Sequence, residues 1–354
     1  MANVIAAGHT WTVGYPAPDL AGPKMTGGLR RRILFLLCLL GLTACSPGAT
    51  ADPLKPPMTD VANIQLPKET GKPAFDLLTL DSRNERLYVA HSSVGTLEVI
   101  DLRTRKLAGR VAGLAEIKGI ALTGDPNVVM TSQAAGSVAV VDVVGLKVLK
   151  ELDVGGSPDA IEYDPVHDIV LVALSTDKKV AFIDVKTQTV IGTMSLPGSP
   201  ELMTVDPKTG TVYLAIHDIN EVVLIDTLSR SIPTTLKGCD IKAPTGLAYD
   251  PQQGLLFVAN SGELSIIDAL LEQCRGAVDI GHGTDQIAFN PHTHHVYTAD
   301  GGSRYLSVVD TVSLKPLGVV GTGPEAATLA VDPTTDLVYV MVARAGIVAV
   351  YHDP

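Results

Sequence analysis

A short apolar segment that ends in aspartate recurs along most of the chain at a nearly constant spacing. It ends at Asp101, Asp142, Asp184, Asp226, Asp268 and Asp310. Neighbouring aspartates lie 41 or 42 residues apart, and a similar segment ends at Tyr351, 41 residues after the last of them. A period of this length is typical of repeat proteins in which each unit buries its apolar face against its neighbours. The chain therefore predicts seven similar units.

Each period contains the pattern of four short strands. A β-branched and aromatic segment precedes the aspartate by about 14 residues, at 87–90, 212–215, 256–259, 296–299 and 338–341. A turn of Asp or Asn followed by Pro comes before that segment, as at Asp164-Pro165 and Asp206-Pro207, and a further apolar stretch precedes the turn. A fourth segment follows the aspartate, as at 148–154 and 190–196. Four such strands predict a propeller blade, and the fold class is all-β: a seven-bladed β-propeller of four-stranded antiparallel blades.

The two ends of the repeat region predict how the ring closes. The last period stops at Tyr351, three residues before the end of the sequence, so it lacks a fourth strand. Residues 63–67 precede the first inner strand and have the pattern of a fourth strand. We therefore expect the N-terminal strand to complete the last blade, which removes an unpaired sheet edge.

These segments resemble the YVTN-type β-propeller repeat family. The resemblance rests on Leu-Tyr-Val-Ala at 87–90, on Leu-Phe-Val-Ala-Asn at 256–260 and on the recurring Val/Ile-Asp endings, and it covers about residues 61–352. It implies the propeller fold, but propellers serve structural, binding and enzymatic roles alike. The WD40 pattern fits less well, because the chain has one tryptophan, Trp11, and lacks the Trp-Asp signature.

The first 44 residues have the pattern of a bacterial lipoprotein signal peptide. Arg30, Arg31 and Arg32 precede an apolar run over 33–42, which is too short to cross a bilayer as a helix. Leu-Thr-Ala-Cys at 42–45 resembles a lipobox, so we expect Cys45 to carry lipid and to become the mature N-terminus. An ordinary signal peptide is the alternative.

Residues 45–60, with four prolines between 46 and 58, are expected to form an extended tether to a propeller at 61–354. These features predict a bacterial envelope protein anchored by lipid, for example at the outer membrane, that faces the periplasm or the cell surface. We expect a monomer with an envelope protein or a small molecule as its partner. A net charge of −11, from 27 Lys and Arg against 38 Asp and Glu, argues against nucleic acid.

A ring of carboxylates is predicted at one mouth of the central channel. The position five residues before each turn Asx holds Asp76, Asp159, Glu201, Thr245, Asp285 and Ala327. The second blade is irregular and offers Lys118, and Glu325 lies nearby in the last blade. Because these positions open the innermost strands, their carboxylates would attract cations or cationic ligands. The alternative is a solvated acidic rim that discourages association.

The loops between second and third strands differ from blade to blade, as expected of ligand contacts. They carry His91, Gln133, His217, Asn260, Asp300 and Arg344. His91 and His217 are candidates for metal ligands or general bases, although their blades lie nearly opposite. Solvent-exposed loop histidines are the alternative.

A second histidine cluster, residues 292–295, falls in the first hairpin of blade six on the other face. No carboxylate or cysteine partner is evident for it, so we expect no metal there.

Two cysteines fall within the propeller. An oxidising envelope would allow Cys239 and Cys274 to pair, but Cys239 follows the outer strand of one blade and Cys274 begins that of the next. This register predicts that they lie near opposite faces, which argues against a disulfide.

No motif for haem attachment, zinc peptidase, serine hydrolase or phosphate binding occurs in the sequence. The leading hypothesis is a non-catalytic ligand- or protein-binding scaffold. The alternative is a metal-dependent hydrolase, similar to a lactonase, in which Asp76, Asp159, Glu201 and Asp285, with His91 or His217, hold a divalent cation. A third hypothesis is a redox accessory protein that acts through a partner.

Overall fold

The computed structural model describes residues 57–68 and 71–354, so the predicted signal peptide and Cys45 lie outside the described residues. The strands are β1 (Thr59–Gln65), β2 (Leu78–Asp81), β3 (Arg86–His91), β4 (Thr96–Asp101), β5 (Lys106–Ala112), β6 (Ile117–Leu122), β7 (Val128–Gln133), β8 (Ser137–Asp142), β9 (Lys147–Asp153), β10 (Pro158–Asp164), β11 (Ile169–Leu174), β12 (Lys179–Asp184), β13 (Thr189–Ser195), β14 (Pro200–Val205), β15 (Val212–Ile216), β16 (Glu221–Asp226), β17 (Ser231–Leu236), β18 (Leu247–Asp250), β19 (Leu255–Ala259), β20 (Glu263–Asp268), β21 (Gln273–Asp279), β22 (Thr284–Asn290), β23 (His295–Asp300), β24 (Tyr305–Asp310), β25 (Lys315–Gly321), β26 (Thr328–Asp332), β27 (Leu337–Val342) and β28 (Ile347–His352). Single 3₁₀ turns occupy Ser92–Val94, His217–Ile219 and Ala343–Ala345. Among the described residues, no helix is long and apolar enough to span a membrane.

The strands form seven four-stranded antiparallel sheets, which confirms the predicted seven-bladed propeller. Blades one to six take consecutive sets of four strands, from β2–β5 to β22–β25. Each blade's first strand contacts the first strands of both neighbouring blades, and this circuit closes between β26 and β2. The first strands therefore line a common channel.

The last blade is completed by the N-terminal strand, as predicted. Its strand order is β1-β28-β27-β26, and β1 pairs antiparallel with β28 so that Ile64 lies opposite Val348. The strand begins at Thr59, and Met58 is already buried in the core between blades six and seven. The predicted tether, residues 45–60, therefore extends too far into the folded domain.

The repeated aspartates cap turns, as their regular recurrence predicts. The Asp142 carboxylate accepts N–H bonds from Val144 and Gly145 at 3.0 and 2.7 Å. The Asp-Pro turns use the same chemistry, since Asp164 accepts the N–H of Val166 at 2.9 Å. Asx turns of this kind satisfy backbone donors that a strand ladder would leave open.

The Asp-capped hairpins lie at one end of each blade, and the other connections between strands lie at the opposite end. We call the end with the hairpins that join first to second and third to fourth strands the turn face. The other end, where each first strand begins, is the mouth face. Thr59 lies opposite His352 at the turn face, so β1 runs from the turn face to the mouth face.

A cluster of buried apolar side chains fills each of the seven blade interfaces in the described part of the chain. Successive residues of a strand point to opposite sides of a sheet. Tyr88 and Ala90 accordingly pack toward blade two, whereas Leu87 and Val89 pack toward blade seven. Every blade thus depends on both neighbours for its core.

The expected separation of the two cysteines is wrong. Cys239 and Cys274 form a disulfide, with their Cα atoms 5.1 Å apart. The connection over 237–246 is long enough to leave the mouth face and run along β20, where the Cys239 carbonyl accepts the Ser265 hydroxyl at 2.6 Å. The regular strand spacing of the other blades does not include this irregular connection. The sequence analysis assumed that spacing and therefore placed the two cysteines on opposite faces.

The expectation that the 292–295 histidines lack carboxylate partners is also wrong. Asp336 lies 2.9 Å from His292 Nδ1, and Asp353 lies 2.6 Å from His295 Nδ1. Both carboxylates belong to blade seven, so the packing of blade seven against blade six brings them to these histidines.

Closure by β1 is predicted to contribute strongly to stability. Ile64 is 2% exposed and packs in the core between blades seven and one. Ile64→Ala should lower the free energy of unfolding by about 2 to 5 kcal/mol, because it leaves a cavity in that core. Urea unfolding followed by circular dichroism measures the change.

Val61→Ala on the same strand is the matched control, because Val61 is 43% exposed. It should leave the free energy of unfolding nearly unchanged. Equal effects of the two substitutions would contradict a closing role for the buried face of β1.

Candidate functional site

The predicted carboxylate ring lies at the mouth face. Asp159, Glu201 and Asp285 each occupy the second position of an inner strand, in β10, β14 and β22. Asp76 precedes β2 by two residues, and Lys118 lies in the equivalent part of β6. The four acids and the lysine therefore come from five blades to one end of the channel.

One pair in this ring is in direct contact. Lys118 Nζ donates to Asp76 Oδ2 at 2.9 Å, across the interface between blades one and two. Burial raises the pKa of Asp76 more than Lys118 lowers it, and Asp159 raises it further. For Lys118, burial alone would lower the pKa, but Asp76, Asp159 and Asp285 outweigh it and the pKa is raised. The lysine is thus the ring's internal counter-charge.

The other carboxyls are held without a comparable counter-charge. Burial, followed by repulsion from Asp76, Glu201 and Asp159, raises the pKa of Asp285 to about 7. Burial also raises the pKa of Glu201, partly offset by His217 and reinforced by Asp159. Like charges in a desolvated mouth disfavour their own ionisation. A cation that enters would relieve this repulsion.

Polar side chains between the acids join the blades to one another. Thr245, in the ring position of blade five, donates to the Thr284 carbonyl at 2.9 Å. Gln286 donates its amide to the Leu78 carbonyl at 3.0 Å and accepts the Leu329 N–H at 3.2 Å. These bonds cross blades six, seven and one, so they fix the ring where the chain closes.

Below the mouth, the channel holds a cavity of about 480 Å³. Its lining includes the apolar side chains Leu77, Ile120, Ile161, Met203, Ile287 and Phe289, but polar groups supply about as much of the exposed surface. One carboxylate, Glu162, also lines it, and its Oε1 accepts the Tyr163 N–H at 3.1 Å. Burial raises the pKa of Glu162 to about 7.

Glu162 was missed by the sequence analysis, which compared blades at the ring position alone. Two residues before the turn Asx, the other blades carry small or neutral side chains: Thr79, Thr204, Ala248, Ala288 and Ala330. Comparison at that second register position would have singled out Glu162. The cavity around it follows only from the assembled channel.

His91 is buried and makes its contacts within blade one. It is 1% exposed, its Nδ1 lies 2.9 Å from Glu98 Oε1, and its ring stacks on Phe75 with centroids 4.0 Å apart. Arg110 and Thr96 also donate to Glu98. The structure therefore directs His91 Nδ1 to a carboxylate of its own blade and not to the ring.

The remaining loop residues divide into two groups. Gln133, Asn260 and Asp300 are buried and bond within the propeller, as in the 2.6 Å bond from Thr284 Oγ1 to Asp300 Oδ1. Arg344 is exposed. His217 is half-buried and interacts electrostatically with Glu201, and its Nδ1 is buried without a hydrogen-bond partner among the described residues. His217 is thus the loop histidine beside the ring.

The carboxylates do not converge as a metal site requires. Asp76 is paired with Lys118, and Glu325 is paired with Lys72 at 3.3 Å on the surface. Across residues 57–68 and 71–354, no group of three or more His, Cys, Asp or Glu side chains is arranged to hold a metal ion. The ring instead forms a negatively charged opening in which the carboxyls repel one another.

Comparison with known proteins supports the fold and goes no further. A scan against models of protein families finds no match, and a search of curated proteins finds none. Among solved structures, the chain is similar to Kuenenia stuttgartiensis hydrazine synthase with a TM-score of 0.72 and 18% identity. The match covers 80% of this chain and 96% of that one. The chain is therefore a β-propeller protein, and a likeness at this identity carries no activity across.

The two carboxyls whose pKa is raised to about 7, Glu162 and Asp285, predict how stability depends on pH. Ionisation of Glu162 and Asp285 costs more in the folded than in the unfolded chain, so the protein loses stability as the pH rises through about 4 to 7. Glu162→Gln removes the part of this loss that Glu162 causes. Because Glu162 is only half-buried, we expect the variant to gain about 1 to 2 kcal/mol over wild type between about pH 5 and pH 8.

Urea unfolding at several pH values measures this gain. Glu151→Gln, on the exposed face of β9, is the matched control and should follow the wild-type pH dependence. A Glu162→Gln profile parallel to that of wild type would show that Glu162 ionises freely in the channel.

Proposed function

We propose that this chain is a YVTN-type, lipid-anchored propeller of the bacterial envelope that binds a cationic ligand at the mouth face without catalysing its conversion. The observation that supports this function is the set of four carboxylates, from four blades, around a single opening. The ligand class follows from charge, because a desolvated ring with one lysine among four acids favours a group that brings positive charge.

The cavity below the ring adds a second requirement for the composition of the ligand. Its apolar side chains can pack against the hydrocarbon part of a ligand, and Glu162 offers one acceptor for an ammonium or guanidinium group in the same cavity. A ligand with a charged end and an apolar stem would satisfy both. A peptide side chain of Lys or Arg has this composition, so a basic segment of an envelope protein is the partner proposed here.

Titration calorimetry with a tetralysine peptide tests the ring. Wild type should bind it, and Asp159→Asn/Glu201→Gln should weaken the binding about tenfold, because each lost charge pair contributes roughly 0.7 kcal/mol. Glu151→Gln/Asp153→Asn, on the outer strand β9, removes the same number of charges far from the channel and should bind as wild type does.

The pH dependence separates the ring from a general acidic surface. Because burial and mutual repulsion raise the pKa of Asp285 and burial raises that of Glu201, binding should be stronger at about pH 8 than at about pH 5. Equal loss in both double variants would contradict a mouth site. The same titration with Ca²⁺, Mg²⁺ and Zn²⁺ tests the hydrolase alternative, which requires a bound cation.

The anchor is tested independently of the ligand. Cys45→Ser should abolish incorporation of labelled palmitate, since the lipid is attached through this thiol. Cys38→Ser, within the predicted leader, is the control and should remain acylated. Acylation of the Cys45→Ser variant would exclude the proposed lipid site.

A further inference from the structure

A cavity of about 370 Å³ lies at the turn face, between blades seven and one. Blade one lines it with Ser82, Glu85 and residues 102–105, and blade seven lines it with its first hairpin and the start of β27. A volume of this size suits a small organic molecule. Because the carboxylate ring lies at the mouth face, the proposed cation site leaves this cavity unused.

The Tyr339 side chain reaches this cavity from the core between the two blades. Tyr339 is 1% exposed, and its hydroxyl has no hydrogen-bond partner in the described part of the chain. Burial and the nearby Asp332 raise the pKa of this phenol to about 12, and Arg105 partly offsets them, so the hydroxyl stays protonated and can donate. Both neighbours line the cavity, which places the hydroxyl at its wall. A buried polar group of this kind is satisfied either by water or by a ligand.

The fold itself does not require this hydroxyl. At the same place in the second strand, blades one to six carry Tyr88, Met130, Leu171, Tyr213, Phe257 and Tyr297. The Tyr297 hydroxyl donates to Asp353 of the next blade at 2.5 Å. Leu102 holds the place of Asp353 in blade one, because the N–H of each donates to the carbonyl that precedes the second strand of its blade. The blade next to Tyr339 therefore offers a leucine side chain where Tyr297 finds an acceptor.

Arg105 is the charged residue of this cavity that the described residues leave unpaired. Arg103 Nε donates to Glu85 Oε2 at 3.2 Å. Asp332 accepts the N–H and the hydroxyl of Thr334, at 3.0 and 2.7 Å. Across residues 57–68 and 71–354, no side chain or backbone group makes an ion pair or a hydrogen bond with Arg105. Since two arginines balance two acids, the wall has no net negative charge that would repel an anion.

Both free groups, the Tyr339 phenol and the Arg105 guanidinium, are hydrogen-bond donors, so a ligand must supply acceptors. A planar guanidinium pairs best with a carboxylate, which accepts two parallel N–H bonds. We propose that this cavity binds a small organic carboxylate, held between Arg105 and the Tyr339 hydroxyl, with its hydrocarbon part against Leu102 and Leu337. This site goes beyond the proposed function, because it lies at the opposite face and takes a ligand of opposite charge.

Titration calorimetry of the full chain with benzoate and with benzamide tests the site. The two molecules share a ring and nearly the same size, but benzamide carries no charge. Wild type should bind benzoate about tenfold more tightly, because a hydrogen-bonded pair with a guanidinium is stronger for a carboxylate than for a neutral amide. Inorganic phosphate, which has no hydrocarbon part, should bind less tightly than benzoate.

Two variants remove the two donors. Arg105→Gln should weaken benzoate binding about tenfold, and Tyr339→Phe should weaken it about threefold. Phe257 occupies the place of Tyr339 in blade five, so the fold accommodates this change, and unchanged thermal unfolding verifies it. Arg230→Gln is the matched control, because Arg230 lies four residues after Asp226 as Arg105 lies four residues after Asp101, and it should bind benzoate as wild type does.

Several results would overturn the carboxylate site. Absence of benzoate binding at millimolar concentrations would show that the Tyr339 hydroxyl binds water alone. Equal affinity for benzoate and benzamide, unchanged benzoate binding by Arg105→Gln, or tighter binding of phosphate would each exclude the proposed ligand class. The mouth site is judged separately, because Asp159→Asn/Glu201→Gln should bind benzoate as wild type does.

Discussion

The structure depends on one pairing, between β1 near the start of the described chain and β28 at its end. A blade cannot bury its two apolar faces alone, so each core cluster needs two neighbouring blades, and seven blades need a closed circuit. Ile64 shows the coupling directly, because it sits in a strand of blade seven and packs in the core shared with blade one. Without β1, the last sheet would expose an unpaired edge and the first interface would lose part of its core.

Closure also creates the electrostatic properties of the channel. Each inner strand begins at the same end, so acids that are 42 to 84 residues apart in sequence come together around one opening. Burial there raises the pKa of Asp285 to about 7, and repulsion among the ring carboxyls adds to the effect. Lys118 offsets part of this charge through its contact with Asp76. The mouth is thus a region where positive charge on a ligand lowers the free energy of the protein itself.

The two ends of the propeller differ because different parts of the repeat form them. Regular Asp-capped turns form the turn face, and their tips are free to vary because backbone N–H groups make the capping bonds. First-strand starts and variable loops form the mouth face. Evolution of a binding surface at one end therefore leaves the folding chemistry at the other end intact. The proposed ligand site at the mouth face makes use of this separation.

The sequence by itself determined the blade number, the strand order within a blade, the closing strand and the positions of Asp76, Asp159, Glu201 and Asp285. These follow from local chemistry: strand periodicity, Asx turns and a constant repeat length. The tertiary structure alone decided the rest. It buried His91 against Glu98, paired Cys239 with Cys274 through an irregular connection, and placed Glu162 at the wall of the channel cavity. Those outcomes depend on contacts between blades, on side-chain direction and on desolvation. The repeat pattern in the sequence contains no information on any of these.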